Sequence, residues 1–178
     1  MNHARTSSFS ERCFSMERLI EQQQHQNPAA VRAVAEQQQW ANLCSQYLPF
    51  EMANSAWKYS RPHISADLSQ GWKLHIAATI LSANKVLEKV APVLKRRGVL
   101  FKAPNSLEEL HKLNSGIQYG YCQVGKFITV YPRSLREARA LARKLDELTQ
   151  GVPAPAVPFD SRYRQDSCVF YRYGAFER

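Results

Sequence analysis

Gly71-Trp72-Lys73-Leu74-His75-Ile76 reads as a short β-strand. Side chains alternate across a strand, so Lys73 and His75 project from one face and Trp72, Leu74 and Ile76 from the other. Whatever this chain folds into must bury the second face against a core. The first face places a cation and an imidazole side by side on a rigid element, which suits binding an anion and moving a proton beside it. The plainer alternative is a polar strand face turned to solvent.

The pattern around this strand sets the fold class. A helix is expected near residues 82–97, where Val86, Leu87, Val90, Val93 and Leu94 keep helical spacing. Pro92 should kink that helix or divide it. Gly98 stands where a helix-ending glycine belongs. Val99 to Lys102 reads as a second strand, Lys126 to Tyr131 as a third and Cys168 to Tyr173 as a last one. Ser106-Leu107-Glu108-Glu109 and Ser134-Leu135-Arg136-Glu137 are capping boxes that open further helices. Before residue 60 the sequence is polar and glutamine-rich. A helix is expected over 29–47, with Val31, Val34, Leu43 and Tyr47 as its stripe, and residues 48–70 read as irregular. The expectation is an α+β protein with one compact domain over 61–178, a small mixed sheet flanked by helices, and a polar, helical region over 1–60.

Lys plus Arg total 24 against 15 Asp plus Glu, a formal charge of +9. That excess favours an anionic partner: nucleic acid, a membrane surface or a phosphorylated substrate. No run approaches the roughly 18 apolar residues of a membrane helix. Met1-Asn2-His3-Ala4-Arg5 leads into polar sequence with no apolar signal core, so the chain reads as cytoplasmic. Cys13, Cys44, Cys122 and Cys168 are scattered, with no Cys-x-x-Cys pair. They read as free thiols, and neither a zinc site nor any other cofactor is expected. No signature of a helix-turn-helix, zinc finger or RNA-recognition motif accompanies the charge, so nucleic acid is the weaker reading.

Four further residues carry candidate chemistry. Lys102 follows the apolar Val99-Leu100-Phe101, so its stem is expected in the core and its amine at an edge or cleft. Lysine works as a base once burial or neighbouring cations disfavour its charge. Lys126 follows Gly125, whose missing side chain leaves room for a ligand against the backbone. Arg172 sits among Phe170, Tyr171 and Tyr173, where stacking would hold a guanidinium ready for phosphate, or serve structure alone. Asp160, in the loop before the last strand, either orients a cation or caps a turn.

Lys73-x-His75, Lys102, Gly125-Lys126 with Phe127-Ile128-Thr129-Val130-Tyr131-Pro132, Asp160, and Tyr171-Arg172-Tyr173-Gly174 together resemble the N-terminal lyase domain of class III and class IV lanthipeptide synthetases. That domain is similar to the phosphothreonine lyases that pathogenic bacteria inject into host cells. The resemblance covers about residues 60–178. It implies a phosphothreonine-lyase-like fold and β-elimination of phosphate from phosphoserine or phosphothreonine in a precursor peptide, giving dehydroalanine or dehydrobutyrine without a cofactor. It assigns Lys102 as the general base, His75 as the general acid, Lys73, Lys126 and Arg172 to the phosphate, and Asp160 to an orienting role. It also implies kinase and cyclase partners, in cis or in trans. The alternatives are a non-catalytic phosphopeptide-binding module or a nucleic-acid-binding module.

Overall fold

The computed structural model describes residues 27–53 and 55–176. Among these residues four α-helices form: α1 (Pro28–Tyr47), α2 (Ile80–Arg96), α3 (Leu107–Ser115) and α4 (Leu135–Leu148). Seven strands form among the same described residues: β1 (Phe50–Glu51), β2 (Trp57–Tyr59), β3 (Gln70–Ile76), β4 (Leu100–Pro104), β5 (Ile128–Tyr131), β6 (Ser161–Arg162) and β7 (Val169–Ala175). The chain divides into two compact units, Met1–Gln38 and Gln39–Arg178. The second carries the whole sheet, so a boundary near residue 60 would cut it between β2 and β3. Residues 50–59, read as irregular, supply two of its strands.

The predicted local signals operate as expected. The Ser106 hydroxyl accepts from the Glu109 N–H, and Ser134 from Glu137, so both serines cap their helices, while the Glu109 carboxylate accepts from Lys112 and Tyr119 and that of Glu137 from Arg133 instead. Gly98 ends α2 with φ +61°, a conformation that side-chain-bearing residues avoid. Pro92 neither breaks α2 nor shortens it. Leu87, Val90, Ala91 and Leu94 around it are fully buried, and that packing outweighs one lost backbone hydrogen bond. In α1 only the second half of the expected stripe meets the core, Leu43 within it and Tyr47 packed against it. Val31 and Val34 are exposed, and the buried face is Trp40, Leu43 and Cys44.

The sheet order is β1-β2-β4-β5-β3-β7-β6. Every pairing among the described residues is antiparallel, where a mixed sheet is expected from alternating strands and helices. The reason is topological. β3 and β4 do run in the same direction, joined through α2, but β5 lies between them. Likewise β5 and β7, joined through α4, are separated by β3. Two split β-α-β units thus interleave, as in ferredoxin-like sheets.

The helices cover one face. Leu74, Ile76, Phe101, Ala103, Ile128, Val130 and Val169 meet Val86, Leu87, Leu94, Leu110, Leu141 and Leu145 in one core. Trp72, Leu74 and Ile76 share a face as the strand pattern requires. Burying those apolar chains at about 25 cal/mol per Å² is the main force holding the layers together. No helix among the described residues is long and apolar enough to cross a membrane.

Candidate active site

The opposite face of the sheet holds the polar residues. Strand alternation sends Lys73 and His75 there from β3, Lys102 from β4, Thr129 from β5 and Arg172 from β7. Register then aligns them. Lys102 lies directly across from Thr129, and Thr129 directly across from His75. Neighbouring Cα atoms across antiparallel strands are about 4.5–5.5 Å apart, so the Lys102 and His75 backbones lie roughly 10 Å apart with one threonine between them. In the same way Lys73 lies across from Arg172.

Apart from Arg172, whose side chain is 36% exposed, these charged residues are not on an open surface. His75 is 2% exposed, Lys126 4%, Lys73 6% and Lys102 7%. Two apolar clusters wall them in. Tyr59, Leu100, Tyr131 and Phe176 pack on one side. Ala77, Val157 and Phe170 pack on the other, where the proline-rich loop over 153–158 folds onto the sheet. Walls of this kind strengthen every charge interaction between them.

Each side chain is held by a definite contact. The Lys102 amine stands 4.3 Å from the centre of the Trp57 ring and 5.9 Å from that of Tyr59, both on the adjacent β2. The Lys73 amine donates to the Ala175 carbonyl at 2.5 Å. The Asp160 side chain is fully buried, and its Oδ2 is hydrogen-bonded to His75 Nδ1. That bond leaves Nε2 as the imidazole nitrogen available to a substrate. The other Asp160 oxygen lies 3.7 Å from Arg172 Nε, an ion pair without hydrogen-bond geometry. Burial pushes the His75 pKa down to about 4, with Lys126 and Arg172 acting in the same direction and Asp160 against them. The imidazole is therefore neutral at pH 7, and an anion arriving beside it favours the charged form.

Three details differ from expectation. Lys126 lies ahead of β5 in a turn closed by its N–H to the Gln123 carbonyl, not in the strand. Gly125, at φ +76°, leaves room for protein and not for ligand: a Cβ there would meet the Ala156 carbonyl oxygen at 2.7 Å. The stacking expected of Arg172 falls to Arg162, 4.7 Å over the Phe170 ring. Tyr171 and Tyr173 project to the other face of β7 and pack on Trp72.

Thr129 joins the site without having been singled out from the sequence. Its signal was there, a lone polar residue in the apolar run Phe127-Ile128-Thr129-Val130-Tyr131. A cavity of about 400 Å³ lined by Trp72, Leu74, Arg139, Tyr163 and Tyr171 belongs to the helix-covered side of the sheet and not to this site. Among the described residues no group of three His, Cys, Asp or Glu converges as metal ligands do.

A sheet face that gathers an amine, an imidazole and further cations suits an anionic substrate that must lose a proton at one atom and a charged leaving group at the next. Known proteins share this framework. Residues 34–178 match the family described as RamC, N-terminal domain. The chain is 39% identical over 124 residues to a probable SapB synthase of Streptomyces coelicolor. That match covers 68% of this chain but only 13% of the much longer relative. Among solved structures, the type III effector and phosphothreonine lyase OspF of Shigella flexneri superimposes with a TM-score of 0.55 at 13% identity, over 75% of this chain and 76% of that one. The Salmonella phosphothreonine lyase SpvC gives 0.55 at 13%, over 75% and 74%. The VirA phosphothreonine lyase effector of Chromobacterium violaceum gives 0.52 at 18%, over 71% and 65%. At such identities the likeness establishes the α+β fold.

Proposed function

This chain belongs to the RamC N-terminal domain family, and from that premise we propose that it is a phosphoserine/phosphothreonine lyase acting on a precursor peptide in lanthipeptide biosynthesis. Lys102 takes the Cα proton. The electron pair left behind forms the Cα–Cβ double bond as the Cβ–O bond breaks. His75 gives its Nε2 proton to the departing phosphate oxygen. The products are a dehydroalanine or dehydrobutyrine residue and free phosphate, and no water is consumed.

Each remaining group has one task. Lys73, Lys126 and Arg172 bind phosphate and stabilise the charge that grows on the leaving oxygen. Asp160 fixes the imidazole so that Nε2 is presented, and supports the charged form when phosphate arrives. General acid and general base steps each contribute about 10²–10⁴-fold. A kinase must supply the phosphorylated residue, and a cyclase would add cysteine thiols to the alkene.

One observation carries this reading: Lys102 and His75 flank the same threonine on one walled face. Its test is to incubate the protein with a phosphoserine peptide and follow the mass for loss of phosphoric acid. Lys102→Ala should lose elimination yet still bind the phosphopeptide. Equal activity in that variant removes Lys102 from the base role. Binding without elimination by the parent protein leaves only a phosphopeptide-binding module.

A further inference from the structure

Two large aromatic side chains lie exposed at the His75 end of the sheet. Phe159 is 81% exposed and Tyr121 68%. Tyr121 opens a single 3-10 turn, Tyr121–Gln123, and Phe159 lies in a separate loop, yet they touch, edge to face, with ring centres 6.3 Å apart. Phe159 directly precedes Asp160, the carboxylate bonded to His75. Tyr121 stands five positions before Lys126, whose charge acts on the same imidazole.

The pair is held in place by the walls of the site. Val157 is buried against Ala77 and Phe170, which pins one loop to the sheet. Gly125 fits closely against the Ala156 carbonyl, which pins the second loop to the first. Val157-Pro158-Phe159-Asp160 is a turn closed by the Asp160 N–H to the Val157 carbonyl. Phe159 occupies its third position at φ +65°, where glycine is the favoured residue. The chain thus keeps a bulky aromatic ring, in water, at a position whose backbone conformation disfavours any side chain. Strain of this sort gathers at ligand-binding sites.

We infer that Tyr121 and Phe159 form a clamp for an apolar side chain flanking the phosphorylated residue of the substrate peptide. The inference rests on the lyase reading for the identity of the substrate, and it deepens that reading by specifying sequence context. Adjacent residues of a peptide are 3.8 Å apart. A residue next to the one held by His75 and Lys126 therefore falls beside the loops that carry the pair. Aromatic faces accept aliphatic neighbours without demanding a particular one.

The experiment uses two phosphoserine peptides, one with leucine on both sides of the phosphoserine and one with glycine. Elimination kcat/KM is measured for the parent, Phe159→Gly and Tyr121→Ser, and the affinities of both peptides are measured by calorimetry. The parent should prefer the leucine peptide about tenfold, as partial burial of such side chains gives. Both variants should bring the ratio close to one, with Phe159→Gly keeping a Tm at or above the parent's because glycine relieves the turn. Elimination without preference in the parent, or preference kept in both variants, overturns the clamp and leaves the lyase reading intact. If the parent eliminates nothing, affinities that favour the leucine peptide and lose that preference in the variants still support the clamp, while the lyase reading fails. Affinities without preference overturn it.

Discussion

Lys102 and His75 are both cross-strand partners of Thr129, one on each side of it. The distance between the amine and the imidazole is therefore set by sheet spacing and not by loops. Thr129 is 3% exposed and lies between them on the same face of the sheet. Thr129→Leu should place a branched chain where the substrate Cβ must sit. We expect kcat/KM for phosphopeptide elimination to fall at least about 100-fold, the order that displacement by an ångström produces. Thr129→Ser should stay within several-fold of the parent. Steady-state kinetics on the two variants checks this, and undiminished activity in Thr129→Leu would remove position 129 from the site.

His75 should make stability depend on pH. Its folded pKa, about 4, lies below the ordinary 6.5 because burial penalises the charged ring. Between those values the unfolded chain binds a proton that the native state refuses. The stabilising contribution is thus complete above about pH 6.5, declines as pH falls, and levels off below about 4. The loss is on the order of 3 kcal/mol. Urea denaturation across pH 7.5 to 4 should show this slope, and His75→Asn should flatten it. The Arg61 guanidinium holds the Asp67 carboxyl down near 2, so that pair contributes its own loss only below about 3.8.

Gly125→Ala should damage both fold and site. The residue sits at φ +76°, and its new Cβ would press on a backbone oxygen at 2.7 Å. Backbone cannot give way as a flexible side-chain tip can. We expect a destabilisation of about 2 kcal/mol, a Tm lower by roughly 4–8 °C. The proline loop would also shift, carrying Asp160 off His75. Thermal unfolding together with kcat reads both effects, and a Tm unchanged by the substitution would mean that the loops do not lock as described.

Arg172→Lys keeps the charge but loses the planar fork and the Nε that stands beside Asp160. KM for the phosphopeptide should rise about tenfold with a smaller change in kcat. The thermal stabilisation that excess inorganic phosphate gives the parent should shrink in parallel, since it follows phosphate affinity. An unchanged phosphate response would place the anion away from β7.

Much of the fold was legible where its cause is local. Ser106 and Ser134 announce helix starts because their hydroxyls bond N–H groups three residues on. The alternation through Lys73 and His75 survives because period two is a property of any strand. Pro92 stays inside α2 because burial from the helix's neighbours outweighs local backbone chemistry. Val31 and Val34 are exposed although they keep helical spacing, which alone does not say which face meets the core. β1 and β2 are not legible in the sequence because strands of two and three residues carry no pattern.

The amino-acid order by itself settled which side chains share a face, where helices begin, and that a strand with a cationic side needed an apolar layer behind it. Only the tertiary structure decided that β5 enters between β3 and β4, setting Thr129 between an amine and an imidazole 27 positions apart in sequence. Strand pairing is non-local. Its order follows from how two helices cover one side of a twisted sheet, and one residue of slip would turn every one of these groups to the opposite face.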